Sequence, residues 1–331
     1  AAERLVEIEE VFLEENVGAA AEAITRALTD RGYAFAKVSP DAKVDLVTNE
    51  VAVTYAVEPG PKAVFGKIRV EGLDELEEDG IRDAINIDPG DPYSTVTIDR
   101  AREAAIALGT FTSVRIEPVL PETPPDDRVV PLVVKVREQR LRSVMLGGGF
   151  QLDALRTRLH LKAGWEHKNL FGGYRHFRVE LKPGINLYPT RIPDFQTPTA
   201  VLPEERFEAS LRQPGFLESR MVGVVRQQLD TYPLLLAEKV DPEAPVVGYL
   251  EYTATVGVER PIWRVVAAPS YQFKYVFPFA YVGDLDPGLR PLIISLVEAA
   301  GRVDLRDDPL SPHKGFYFQN SVQFAGVGGD A

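Results

Sequence analysis

The sequence predicts an α+β repeat followed by an antiparallel β-barrel of the membrane-spanning kind, of which about nine strands are present. Three observations predict it. Residues 1–140 carry 16 Lys and Arg against 28 Asp and Glu, whereas residues 141–331 carry 21 of each, so the whole net charge of −12 lies in the first part. Helical and strand periods mix in that first part, while the second shows alternating runs and no convincing helix. Landmarks also recur: 78 residues separate Tyr33 from Phe111, each close behind a helix-ending glycine, and the same 78 separate the valine-rich runs that start at Val51 and Val129. The boundary falls near 139–142.

Composition narrows the function classes. The chain has 331 residues, 45% of them apolar and 26% charged, which is enough for a sizeable core and unlike a disordered chain. Its acidity argues against a nucleic-acid partner, because phosphate backbones repel it. Cysteine is absent, which excludes disulfides, thiolate metal sites and cysteine nucleophiles. No apolar run reaches the ~18 residues of a membrane-spanning helix. The first residue is Ala1, with no leader pattern, and the last are Gly328-Gly329-Asp330-Ala331, directly after a strand-like run. We expect a fragment of a longer protein.

In the first part, residues 15–31 read as a helix, with Ala19, Ala20, Ile24, Ala27 and Leu28 at helical spacing and Gly32 as its stop. Strands are expected at 33–37 and 50–57. The turn signal Pro59-Gly60-Pro61 precedes a strand at 64–70. Helices follow at 74–87 and 97–108, broken by Pro89-Gly90-Asp91-Pro92, and strands at 112–118 and 129–136 close the set. Each unit then reads strand–helix–helix–strand–strand, the first strand of the first unit being weak or truncated. Two helices can cover one face of such a small sheet. The alternative is two unrelated α+β pieces.

Four short motifs in order resemble a POTRA domain, the polypeptide-transport-associated unit of outer-membrane assembly proteins. They are Glu58-Pro59-Gly60-Pro61, Phe65-Gly66-Lys67-Ile68-Arg69-Val70-Glu71-Gly72, Gly90-Asp91-Pro92-Tyr93 and Gly109-Thr110-Phe111-Thr112-Ser113-Val114. Arg31-Gly32-Tyr33-Ala34-Phe35-Ala36-Lys37-Val38 is similar to the same place in a preceding copy. The resemblance implies an N-terminally incomplete POTRA at 1–60, a second at 61–140 and the N-terminal part of an outer-membrane β-barrel at 141–331.

The barrel reading also stands on pattern. Leu159, Leu161, Ala163 and Trp165 share one face of their strand, and Arg158, His160 and Lys162 the other. The same alternation runs through Phe177–Leu181, Phe207–Leu211, Leu250–Val258, Tyr271–Phe277 and Phe316–Phe324, with weaker strands at 143–151, 221–228 and 292–303. A soluble sandwich alternates too. Three features favour a membrane barrel: several strands approach the ~9–11 residues that cross a bilayer at a tilt, the polar faces are heavily charged, and the connections alternate in length. Short turns are expected at 167–173, 214–219, 261–265 and 307–315, and long outer loops at 183–205 and 231–247. Trp165, Tyr188, Trp263, Phe279 and Tyr281 gather near strand ends, as an interfacial girdle would.

Asn169-Leu170-Phe171-Gly172-Gly173 and Arg212-Gln213-Pro214-Gly215-Phe216 resemble the first periplasmic turns of the assembly barrels. The stretch Asp304-Leu305-Arg306-Asp307-Asp308-Pro309-Leu310-Ser311-Pro312-His313-Lys314-Gly315 is similar to a turn that recurs in that superfamily. Pro309 and Pro312 cannot donate ladder bonds, Asp307 and Asp308 favour turns, and Arg306 can pair with Asp304 on the same face. A generic acidic hairpin is the alternative. The superfamily's barrels have about sixteen strands, and its luminal Arg-Gly-aromatic motif is not found here, which again implies truncation, since an open sheet would leave bare edges in lipid.

Residues suited to catalysis are scarce. His160, His167, His176 and His313 form no zincin pair, and Gly147-Gly148-Gly149 sits within a strand, with no helix following, so it is no nucleotide loop. No nucleophile elbow or P-loop occurs. We expect neither an enzyme nor a cofactor or metal. The resemblance implies an outer-membrane assembly, insertion or translocation factor, closest to the TamA-like branch with the BamA-like branch beside it. Its POTRA units would stand in the periplasm and capture unfolded outer-membrane or secreted clients by adding a strand. The edge strands would carry Phe35, Lys37, Val38, Ser113, Val114 and Ile116. The barrel would lend its first strand, with Val144, Leu146, Gly147, Gly148 and Gly149, at a seam the glycines weaken. Its partners would be those clients, the lipid bilayer and periplasmic or inner-membrane subunits. A two-partner secretion pore of the same superfamily and a soluble β-sandwich binding protein are the alternatives.

Overall fold

In the computed structural model, which describes residues 13–152, 156–188, 197–235, 245–262, 264–307 and 312–326, the chain divides after Gln139 into two units. The first begins with α1 (Glu14–Thr29), whose opening turn holds Glu14 and Glu15 and whose last turn holds Arg26, matching the helix dipole. Val17, Ala20 and Ala21 form its buried stripe. Beyond it the strand expected at 33–37 does not form. The Ala36 N–H turns back to the Tyr33 carbonyl at 3.2 Å, so β1 starts at Lys37 and runs to Asp45. It pairs antiparallel with β2 (Glu50–Glu58). Asp45 closes the hairpin by accepting from the N–H groups of Val47 (2.8 Å) and Thr48 (3.3 Å). Those two bonds hold its carboxyl below the usual aspartate range.

The second repeat is complete: β3 (Val64–Glu71), α2 (Glu78–Ile85), α3 (Thr95–Ala107), β4 (Phe111–Pro118) and β5 (Val129–Glu138). Its sheet order is β3-β5-β4, with β3 parallel and β4 antiparallel to β5. A parallel pair needs a long crossover, and α2, α3 and β4 supply it. Val130, Leu132, Val134 and Val136 alternate inward along β5, and Phe65 on β3, Ile81 on α2, and Ile98 and Ala105 on α3 are buried as well. Full burial of such a side chain contributes about 1.5–3 kcal/mol.

Helix α2 starts later than the 74–87 expectation because the Glu138 carboxylate takes the N–H groups of Asp74, Glu75 and Leu76 at 2.8–3.0 Å. Helix α3 is capped twice. Ser94 Oγ accepts from the Thr97 N–H at 3.4 Å, and Asp30, from the first repeat, accepts from the Val96 N–H at 3.1 Å and from the Thr95 hydroxyl. Arg26 forms an ion pair with Asp99 across the same junction.

The second unit is one meander. Among the described residues it has nine strands: β6 (Arg142–Leu152), β7 (Thr157–His167), β8 (His176–Tyr188), β9 (Ala200–Pro214), β10 (Val222–Pro233), β11 (Val246–Ile262), β12 (Val265–Val282), β13 (Leu292–Asp304) and β14 (Tyr317–Ala325). Every neighbouring pair is antiparallel and the sheet is not closed, β6 and β14 being its two ends. The strands outrun their expected limits. The outer connections expected at 183–205 and 231–247 shrink to 189–199 and 234–245. Pro183-Gly184 looks like a breaker, yet β8 passes through it. Pairing with β7 skips Lys182 and Pro183, while pairing with β9 continues through Pro183↔Glu205 and Gly184↔Glu204. Phe316 precedes β14 rather than opening it. Trp263 lies outside the described residues.

Among the described residues no second sheet covers the apolar rows. Leu161 is 66% exposed, and Leu159, Val256, Tyr271 and Phe277 are exposed beside it. The opposite face carries the charges in pairs: Lys162–Glu180 (2.8 Å), Arg206–Asp230 (2.6 Å), Arg212–Glu259 (2.7 Å) and Lys274–Glu251 (2.7 Å). An outward apolar face around an ion-paired inner face is what a barrel in hydrocarbon requires.

Candidate functional site: strand edges and the Asp-Arg turn

Strand β4 pairs with β5 on one side only, and among the described residues no strand lies on its other side. Phe111, Val114 and Ile116 turn into the core, while Ser113, Arg115 and Glu117 face water. Val114 and Ile116 are therefore offered through their main chain, not their side chains. Such an edge presents unpaired N–H and C=O groups. Lys135 Nζ reaches Glu117 at 2.6 Å across the pair, and that hydrogen bond holds the Glu117 carboxyl below its ordinary range.

The first repeat offers a second edge at β1, whose single partner among the described residues is β2. Lys37 is exposed and Val38 half-buried on this strand. Phe35 is not on it: it lies in the turn ahead of Lys37, half-buried. Beside β1 runs an open groove of about 570 Å³ lined by Ala21, Thr25, Ala34, Val38, Tyr93 and Leu120. Burial raises the Tyr93 phenol above its usual value, with the Asp30 carboxylate adding to the effect.

Strand β6 pairs with β7 at every residue from Arg142↔His167 to Leu152↔Thr157. The glycine run is thus part of a full-length strand. Val144 and Leu146 are 69% and 82% exposed. Gly147, Gly148 and Gly149 leave space for β7: a Cβ on Gly149 would stand 2.9 Å from the His160 ring.

In the turn after β13, Arg306 clasps Asp304 with Nε and one Nη at 2.9 and 2.8 Å, a two-point ion pair. The guanidinium also lies 5.1 Å from the centre of the Tyr317 ring. Asp307 accepts from the N–H groups of His313 (3.0 Å) and Lys314 (3.1 Å), closing the loop. Gly315 has φ +99°, and a Cβ there would stand 2.1 Å from the Leu305 carbonyl oxygen, so the return to β14 needs glycine. Pro312 precedes this closure; Asp308 and Pro309 lie outside the described residues.

The ion pairs of the polar face are not legible residue by residue in the sequence. Arg212 and Glu259 are 47 positions apart, and only the register of β9, β10 and β11 brings them together. Among the described residues no group of three or more His, Asp or Glu side chains could hold a metal ion.

The family described as POTRA, surface antigen variable number repeat, matches residues 3–60 and 63–139. The outer membrane protein assembly factor BamA of Neisseria meningitidis serogroup B is 28% identical over 149 residues, 45% of this chain and 18% of that protein. Among solved structures, BamA from Haemophilus ducreyi lacking POTRA domains 1–3 superposes with a TM-score of 0.63 at 17% identity, over 98% of this chain and 60% of that one. CdiB from Acinetobacter baumannii gives 0.59 at 11% identity, over 96% and 54%. At such identities the structural likeness speaks for the fold. The chain spans less than two thirds of each of these relatives.

Proposed function

We propose, from the POTRA matches at residues 3–60 and 63–139 and the BamA-like fold, that this chain is a protein of the Omp85 superfamily, with POTRA repeats on the periplasmic side and a β-barrel in the outer membrane, and that it assembles or inserts client proteins in that membrane. It does so by lending strand edges. The observation that carries the reading is β4, an edge with one partner strand on a folded, water-exposed repeat. Main-chain pairing accepts many sequences, which suits unfolded outer-membrane or secreted clients. Strand β1 offers a second such edge, and β6 the corresponding edge within the bilayer. Capture and transfer exchange hydrogen bonds between strands, so no cofactor and no bond-making step enters. Periplasmic or inner-membrane subunits would act as further partners.

A proline scan across 112–117 tests this. Positions whose N–H faces away from β5 tolerate proline and keep the fold, and those same variants lose binding of an extended client peptide. Equal peptide binding by every folded proline variant would remove β4 from the mechanism. Export is the second reading, favoured by the CdiB-like fold over 96% of the chain. Reconstituted protein that moves a polypeptide into the liposome lumen, and does not insert a client barrel, selects that reading.

A further inference from the structure

The chain enters β6 at one end of the sheet, and the connections 168–175, 215–221, 263–264 and 305–316 lie at that same end. These four stretches hold six Lys and Arg against three Asp and Glu. The connections at the opposite end, 153–156, 189–199, 234–245 and 283–291, hold four against seven. A unit that is neutral overall is therefore polarised, basic at the end where the chain enters β6.

Three of the four basic-end turns also combine a bare apolar tip with a nearby cation. Phe171 is 87% exposed with Lys168 three residues before it, Leu217 is 83% exposed with Arg220 three residues after it, and Phe316 is 57% exposed beside Lys314. None of these three cations forms an ion pair among the described residues. Phe171 and Leu217 take φ +58° and +64°. That left-handed conformation is unfavourable for bulky side chains, and glycines stand next to or near both. Backbone strain of this kind persists where something else rewards it. A water-facing turn gains nothing from a strained, exposed Phe or Leu.

We propose that this end of the barrel is a lipid-gripping collar: the tips Phe171, Leu217 and Phe316 sink into the periplasmic leaflet while Lys168, Arg220 and Lys314 hold anionic phospholipid headgroups. The pairing of cation and apolar side chain is that of interfacial membrane anchors. The opposite sign of the other end makes the recognition one-sided. The inference rests on the barrel fold and not on client capture, so either can fail alone.

The chain contains no cysteine, so single labels are clean. F171C and L217C, each carrying an environment-sensitive dye, are reconstituted into phosphatidylcholine vesicles containing brominated phosphatidylglycerol or brominated phosphatidylcholine. D286C, at the opposite end, is the control, and circular dichroism confirms the strand content. Both tip dyes are quenched, with about a fivefold preference for the anionic lipid per nearby cation, which falls as salt rises. Lys168→Gln abolishes the preference at 171 and Arg220→Gln at 217, while the D286C dye shows none. Tip dyes that escape quenching by both lipids, or a preference unchanged by these substitutions, would overturn the collar.

Discussion

Strands β5 and β7 carry the same alternation of apolar and polar side chains and reach opposite outcomes. In β5 the apolar row meets two helices and disappears: Leu132 is fully buried. In β7 the apolar row stays outside, with Leu161 66% exposed, and the polar row finds its partners in Glu180 and Glu204 instead. Alternation alone therefore fixes that a sheet has two unlike faces. What decides which face is inside is the presence or absence of amphipathic helices to cover the greasy one, and among the described residues the first unit has them while the second has none.

The difference can be broken by exchanging the environments of the two rows. Leu132→Ala should destabilise the first unit by about 2–5 kcal/mol, as for a filled core site left partly empty. Leu161→Ala on the open face should cost under about 1 kcal/mol, since little packing is lost. Urea unfolding of the two variants, the second in detergent or lipid, compares them. A large loss at Leu161 would mean that a protein surface covers it.

A charge sharpens the contrast from the other side. Val256→Arg places a cation on the outward face and should cost about 2–4 kcal/mol near the bilayer midplane. Thr255→Asn, on the opposite face of the same strand, should be close to neutral. Folding yield into vesicles reads both. Equal effects would show that the two faces of β11 see the same solvent.

A smaller effect is expected of the inner ion pairs. Arg212 and Glu259 are each about a third or more exposed, so a double-mutant cycle should give a coupling of about 1 kcal/mol, weakening as salt rises. The smallest is at Glu117. Its carboxyl is held down by Lys135, so its contribution is complete above the usual glutamate range and is lost as pH falls through the lowered folded value. Glu117→Gln should flatten the acid limb of the first unit's stability curve. An unchanged limb would show that the pair is not formed in solution.

The sequence made the second repeat legible because its helices and strands are bounded by local signals: the proline-glycine breaks, Gly109 and the valine-rich run from Val129. The start of β1 was not, since Tyr33-Ala34-Phe35-Ala36 has strand-like residues but folds as a turn by its own main-chain bond. Nor was the late start of α2, which depends on Glu138, 62 residues beyond Leu76. Among the site residues, Ser113 and its neighbours could be placed on an edge from the repeat, and the clasp of Arg306 on Asp304 follows from a two-residue spacing. The exposure of Phe171 and Leu217 is not legible in the sequence, because a glycine-flanked turn signals chain reversal and not which side chain it displays.

The carboxylate of Asp30 completes the first turn of α3, although it stands sixty-six positions before Val96. Neighbouring modules here share a part, like adjoining bricks keyed by one peg. Grafting a foreign upstream module lacking an acid at that place would leave a helix of the next one with an orphaned amide. Shuffling of such arms in evolution or engineering should therefore succeed only when the peg travels with its socket.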